Sequence, residues 1–186
     1  MRNRVFTSYT MYAFSEGELK RLLAACDDMG DYIMILIASR YGLRREDVVN
    51  IKVNDINFAS GLLSFYERKK RRIHTVPLEA DVAQELKRYI GTFKKGREYL
   101  LPFQDGSTAW RHLQELCIVA GIPTPTGREG RPFHSLRGTC VKQRQAAGWT
   151  IHECAALIGD EADTVSKHYA TVTTTELMQK MRDCSK

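Results

Sequence analysis

Five side chains of four kinds in this sequence are suited to one reaction, the breaking of a phosphodiester. His134-Ser135-Leu136-Arg137 is followed downstream by Tyr169, and upstream lie Tyr41-Gly42-Leu43-Arg44 and a basic stretch around Lys69. Two arginines can hold the phosphate through planar forks. A tyrosine can attack phosphorus, and an imidazole or amine can move the protons. No metal is required. His134 and Arg137 are spaced i, i+3, so on a helix both heads lie on one face. Each feature also has a plainer reading: an arginine at a helix end, a solvated basic hairpin tip, a capping histidine, one structural tyrosine among eight.

The elements that must position these residues are marked by capping signals and periodicity. Ser15-Glu16-Gly17-Glu18 reads as a capping box, followed by Leu19, Leu22, Leu23 and Cys26 on one helical face. A second apolar helix runs from Tyr32 to Tyr41 and stops at Gly42, leaving Arg44 at the entrance to a short helix over Arg45–Ile51. Asn54–Gly61 is a turn-rich link into a strand, Leu62–Tyr66, whose partner is Ile73–Leu78. The run Arg68-Lys69-Lys70-Arg71-Arg72 is then a hairpin tip. Val82, Leu86 and Ile90 mark a helix closed by Gly91. Ser107 begins another, with Trp110, Leu113, Cys117 and Ala120 expected inward and Gly121 at its end. Ile122–Pro132, with three prolines and two glycines, reads as the one long flexible loop. Helices follow at His134–Ala147, at Thr150–Ile158, near Tyr169 and from Thr173 onward. The expected fold is mainly α with a small antiparallel β-sheet, an α+β chain without internal repeats.

At 186 residues there is room for one well-buried domain, and 43% hydrophobic with 27% charged residues is the balance of an ordinary globular protein. A formal net charge of +6 suits a polyanionic partner but does not identify one. Cys26, Cys117, Cys140, Cys154 and Cys184 are scattered and odd in number, so neither a disulfide framework nor a zinc site is expected, and a reducing intracellular setting fits. His152 and Cys154 read as ordinary helix residues. No signal peptide is visible, and the longest apolar run, Ile33–Ala38, is too short to cross a membrane.

In this order and context the residues resemble the catalytic domain of the tyrosine recombinases, the phage integrase family, over nearly all of residues 14–172. Tyr41 to Val48, with Gly42-Leu43-Arg44 and Asp47, looks like the family's first arginine box. A lysine eight residues before the proline of Val76-Pro77-Leu78 is Lys69, with Lys70 its rival. Pro132-Phe133-His134-Ser135-Leu136-Arg137 resembles the HxLR motif, although Gly138 stands where the family often has His or Lys. Leu157-Ile158-Gly159 and then Thr164 to Tyr169 resemble the terminal box, with Tyr169 ten residues after Gly159.

The resemblance implies roles. Arg44 and Arg137 would grip non-bridging phosphate oxygens, Lys69 would protonate the departing 5′ oxygen, and His134 would bond the phosphate and help with the nucleophile's proton. Tyr169 would attack, giving a 3′-phosphotyrosine, and Arg45, Arg68, Lys70, Arg71 and Arg72 would touch DNA. It also implies the tyrosine recombinase catalytic-domain fold, no cofactor or metal, double-stranded DNA as partner and no membrane. Rejoining would take place in a homo-tetramer through a Holliday junction, inside the cell with the chromosome or a mobile element.

One position departs from the family pattern. Asp160 stands directly after Gly159, where a histidine or tryptophan is usual. An ionised carboxylate repels a scissile phosphate and donates no hydrogen bond. Either Asp160 turns away, or His168 takes over part of the task, or the site is weakened by about 2.7–4 kcal/mol, the usual effect of losing one transition-state donor. The alternative to a recombinase is therefore a degenerate, non-catalytic DNA-binding relative. A small basic RNA- or ribosome-associated protein would explain the charge but leave the spacing to coincidence. Residues 1–186 are expected to be a single catalytic domain lacking the family's N-terminal core-binding domain, with an extension at 1–13. At 173–186, Leu177, Met178 and Met181 share a helical face that either packs on its own domain or docks on a neighbouring subunit.

Overall fold

The computed structural model describes residues 12–122 and 132–169, together with positions 178, 181 and 182. Helix α1 (Glu16–Ala24) starts at the expected Ser15–Glu18 capping box. Helix α2 (Met29–Tyr41) is the centre of the domain. Its segment from Ile33 to Ala38 is apolar all round, and a helix of that kind must be covered on every side. It packs against five other helices: α1, α3 (Arg45–Val49), α4 (Ala80–Ile90), α5 (Gly106–Val119) and α6 (Pro132–Ala146). The helix begins at Met29 rather than at Tyr32, because Asp28 caps it by accepting from the amides of Gly30 and Asp31.

Three antiparallel strands in the order β1-β2-β3 form the sheet: β1 (Ile56–Asn57), β2 (Leu62–Glu67) and β3 (Arg72–Pro77). Strand β1 lies inside the segment that reads as a turn-rich link, since two residues are too few to show alternation. The β2–β3 register runs from Leu62↔Pro77 to Glu67↔Arg72, which leaves the basic residues at the hairpin tip. Leu63, Phe65 and Glu67 face inward along β2.

Helix α5 corrects one sequence expectation. Trp110 is 40% exposed, whereas Ala109, Leu113, Leu116 and Cys117 are buried. Those four follow i, i+4, i+7, i+8, so the core-facing stripe is centred one residue before the tryptophan. Helices α7 (Ile151–Ile158) and α8 (Ala162–His168) close the described chain, α7 entering through a Thr150–Glu153 capping box. The mainly helical architecture with one small antiparallel sheet is the one expected from the sequence. The long loop expected before Pro132 lies at 123–131, outside the described residues, as does most of the helix expected from Thr173 onward; Met178 and Met181 are exposed. No helix among the described residues is long and apolar enough to cross a membrane.

Candidate active site

Arg137 projects from α6 and is only 1% exposed. A guanidinium so deeply placed must find acceptors. Its Nη1 donates to the carbonyls of Gly42 and Ile158, and its Nη2 to Oδ2 of Asp160 at 2.7 Å. Those carbonyls end α2 and α7, so one side chain satisfies the termini of two helices where their dipoles favour a cation. Gly42 permits the approach. It adopts φ +60°, and a Cβ there would come within 2.6 Å of Ile158 Cγ2. The Nε–H of Arg137 is buried and meets no acceptor among the described residues.

Arg44 occupies the N-cap position of α3, just past Gly42. Its Nη1 donates to Oε1 of Glu67 at 2.9 Å and its Nη2 to Oδ2 of Asp160 at 3.1 Å. The nearby Asp47 is also buried, accepts from the Arg68 amide at 3.1 Å, and lies 4.0 Å from Arg44 Nη1. Burial pushes the Asp47 carboxyl up, against the Arg68 amide and the Arg44 charge.

The orientation of Asp160 answers what the sequence leaves open: the side chain turns inward, between the two arginines. Gly159 ends α7 in the left-handed region at φ +66°, which redirects the chain, and two guanidinium groups draw the carboxylate in. Burial alone would raise the Asp160 carboxyl. The Arg137 hydrogen bond and the charges of Arg137 and Arg44 outweigh burial and hold it below the usual carboxylate range. Lys70 Nζ stands 3.8 Å from its other oxygen. His168 is exposed on the outer side of α8, its ring edge-on to Tyr169 at 6.3 Å.

Tyr169 follows α8 and is 6% exposed, with Arg137 Cζ 5.9 Å from its ring centre. Burial raises its phenol above the usual value, the Arg137 charge opposes this, and the Asp160 charge adds to the rise. The hydroxyl is therefore neutral near pH 7, and Asp160 works against its ionisation.

Lys69 and His134 line an open cavity of 490 Å³ together with Arg44, Arg45, Arg68 and Trp110. The two rival lysines thus differ in place: Lys69 faces the cavity and Lys70 reaches toward Asp160. The other basic residues also part company. Arg45 pairs with Glu46 at 3.0 Å, Arg71 is exposed with φ +52°, and Arg72 stays exposed while its Nε donates to the buried Glu67 Oε2 at 2.7 Å. The sequence reading did not single out Glu67, yet a signal was present. Continuing the inward row Leu63, Phe65 by two residues puts a carboxylate on the buried face of β2. Among the described residues no group of His, Cys, Asp and Glu is arranged to hold a metal ion.

What this arrangement can do is bind an oxyanion between two arginines, beside a buried phenol and an open basic cavity. The phage integrase family model matches residues 13–176 of the chain. Tyrosine recombinase XerA of Pyrococcus furiosus is 26% identical, aligned over 96% of this chain and 64% of that protein. The chain therefore spans less than two thirds of that relative's length. A crystal structure of XerA recombinase superposes with a TM-score of 0.79 at 20% identity, covering 94% of this chain and 65% of that one. The XerH site-specific recombinase bound to a palindromic difH substrate, in a post-cleavage complex, gives 0.71 at 14% identity over 94% of this chain and 54% of that one. These likenesses at low identity speak for the fold.

Proposed function

Because the chain belongs to the phage integrase family, we propose that it cleaves and rejoins DNA strands through a 3′-phosphotyrosine at Tyr169. The observation that carries this reading is the single oxygen, Asp160 Oδ2, held by both Arg44 and Arg137 next to the Tyr169 ring. A site that holds one carboxylate oxygen between two guanidinium groups is suited to a non-bridging phosphate oxygen, which has the same charge sign and hydrogen-bond demands.

In the proposed reaction a DNA phosphate displaces the Asp160 carboxylate. Tyr169 Oη attacks phosphorus as its proton passes to His134 or solvent. The P–O5′ bond breaks, and Lys69, from the cavity side, protonates the departing oxygen. Arg44 and Arg137 balance the charge that builds on the pentacovalent phosphorus. A 5′-hydroxyl of a second strand then attacks the phosphotyrosine, its proton returns to the lysine, and the phenol is regenerated. Bond energy is kept in the ester throughout, so no nucleotide is consumed.

Double-stranded DNA is the proposed partner, with the chain acting as a catalytic unit over residues 1–186 and meeting its own copies there, as a tetramer, inside the cell beside a chromosome or mobile element. The XerH complex with difH supports a DNA partner by likeness. Arg45, Arg68, Arg71 and the exposed Arg72 would touch the DNA backbone, while Lys70 would do so only after leaving Asp160.

A nicked suicide duplex, scored for a covalent adduct on denaturing gels, tests the reading. Candidate duplexes come from a library of sequences flanking the gene. The expected result is an adduct with the native chain and none with Tyr169→Phe. An adduct that persists in the phenylalanine variant, or none from the native chain across the library, would sink it.

A further inference from the structure

We propose that Glu67 is a positioning residue that sets the direction of the Arg44 guanidinium, an inference that rests on the phosphate-binding role given to Arg44 above. Glu67 is the last residue of β2 and lies in the inward row with Leu63 and Phe65, only 1% exposed. A carboxylate at the end of an apolar row is kept there by its partners. Both oxygens are engaged, Oε1 by Arg44 Nη1 at 2.9 Å and Oε2 by Arg72 Nε at 2.7 Å. It is also wedged from behind: a Cβ on Gly159 would lie 2.4 Å from Oε1, so the end of α7 presses on the carboxylate without room for a side chain.

Arg44 thus carries two carboxylates of unequal permanence. Glu67, on a strand and fully enclosed, holds Nη1. Asp160, in the turn after α7 with a side chain 14% exposed, holds Nη2. An arriving phosphate can replace the second and not the first. Once Asp160 leaves, the Glu67 bond keeps Nη2 facing the vacated place. With Asp160 displaced and Glu67 absent, the nearest carboxylate is Asp47, whose Oδ2 already lies 4.0 Å from Arg44 Nη1, and the guanidinium would swing toward it. Through Arg72 the same glutamate ties the base of the basic hairpin, and with it Lys69, to the arginine it serves.

A positioning role makes a signature that a purely structural role does not. Replacing Glu67 by glutamine removes a negative charge beside the phosphate seat, so DNA affinity should hold or rise. The rate should fall, because a guanidinium displaced by an ångström no longer matches the transition state, an effect of about ten- to a hundredfold. The experiment measures single-turnover adduct formation on saturating nicked duplex, alongside equilibrium binding of the same duplex, for the native chain, Glu67→Gln and Glu67→Asp. Aspartate keeps the charge that the fold pairs but withdraws the carboxylate by one methylene, so it decides the matter if the glutamine variant fails to fold. In parallel, with Asp160→Ala introduced throughout so that the second carboxylate no longer holds Arg44, nitrogen-15 NMR of the Arg44 side chain reads its immobilisation without any DNA. The expected results are a lowered rate at undiminished affinity in the folded variants, and an Arg44 guanidinium that is restricted where Glu67 is kept and averaged in the variants. A folded variant with the native rate, or one whose Arg44 is as restricted as where Glu67 is kept, overturns the role of Glu67. Absence of adduct from the native chain counts against the strand-transfer reading instead, and the NMR comparison still decides Glu67.

Discussion

Arg44 and Arg137 donate to one and the same atom, Oδ2 of Asp160, at 3.1 and 2.7 Å. Two cations brought that close repel unless an anion lies between them, and here the anion belongs to the chain. The seat is therefore assembled before any phosphate arrives. In the proposed reaction an entering phosphate exchanges with a group of like charge, so the arginines need not be gathered at that moment.

Asp160→Asn should tighten DNA binding. The amide still accepts from one arginine but no longer competes as an anion. At moderate salt, affinity for a short duplex should rise by about three- to tenfold, and the salt dependence should steepen by about one phosphate contact. Fluorescence anisotropy across a salt titration checks this. Unchanged affinity and slope would mean that phosphate does not compete for the place Asp160 holds.

Acid stability should report the same contact. The folded Asp160 carboxyl titrates below its usual value, so as pH falls the unfolded chain takes up that proton first. Its contribution is fully present above the unfolded value of about 3.9 and is lost as pH drops through the folded value. The Tm of the native chain should exceed that of Asp160→Asn near pH 7, with the gap closing below about pH 4. A gap that stays constant with pH would rule the linkage out.

Removing the Asp160 charge should also ease the ionisation of Tyr169, which burial and Asp160 together raise. Selective carbon-13 labelling of tyrosine, with the Tyr169→Phe spectrum to assign the signal, should show the Tyr169 transition at lower pH in Asp160→Asn than in the native chain. No movement would show that burial alone governs the phenol.

Arg137→Lys should destabilise far more than Arg44→Lys. A single ammonium cannot serve the carbonyls of Gly42 and Ile158 and the Asp160 carboxylate together. Leaving one or two of these buried groups unmet costs roughly 2–4 kcal/mol. Urea unfolding of both variants makes the comparison, and equal losses would contradict the structural task assigned to Arg137.

Gly159 and Gly61 form a matched pair, both at φ +66°. An added Cβ at Gly61 meets nothing within 4 Å, while at Gly159 it meets Glu67 Oε1 at 2.4 Å. Gly61→Ala should cost only the backbone strain, about 1–2 kcal/mol. Gly159→Ala should cost clearly more and should disturb Arg44 through Glu67. Unfolding midpoints that fall together would argue against the close packing of α7 on the glutamate.

The sequence marks the basic residues of this cluster and names Asp47 and Asp160, but hides Glu67 and the direction Asp160 takes. Arg44 behind a helix-stopping glycine and His134 with Arg137 at i, i+3 are local patterns, legible because three or four residues define them. The fate of Asp160 depends on which way the chain leaves Gly159 and on cations from two distant elements, neither of which is local. Glu67 was legible in part, through the alternation of β2, but basic neighbours made the whole segment read as a solvated tip. Trp110 was misplaced for a simpler reason: two neighbouring rows on α5 both look apolar, and only packing decides which is the inner one. Strand β1 was too short to announce itself.

The partners that compose this site come from opposite ends of the chain. Arg44 and Asp160 are separated by 116 positions, and Arg137 and Gly42 by 95. Loops of that length close late, after local helices and the β2–β3 hairpin have formed. A nascent or half-folded copy therefore has its cations, carboxylates and phenol scattered, and reactive potential arrives only with the finished tertiary structure. For the proposed strand-cleaving chemistry, that order of events is itself a safeguard.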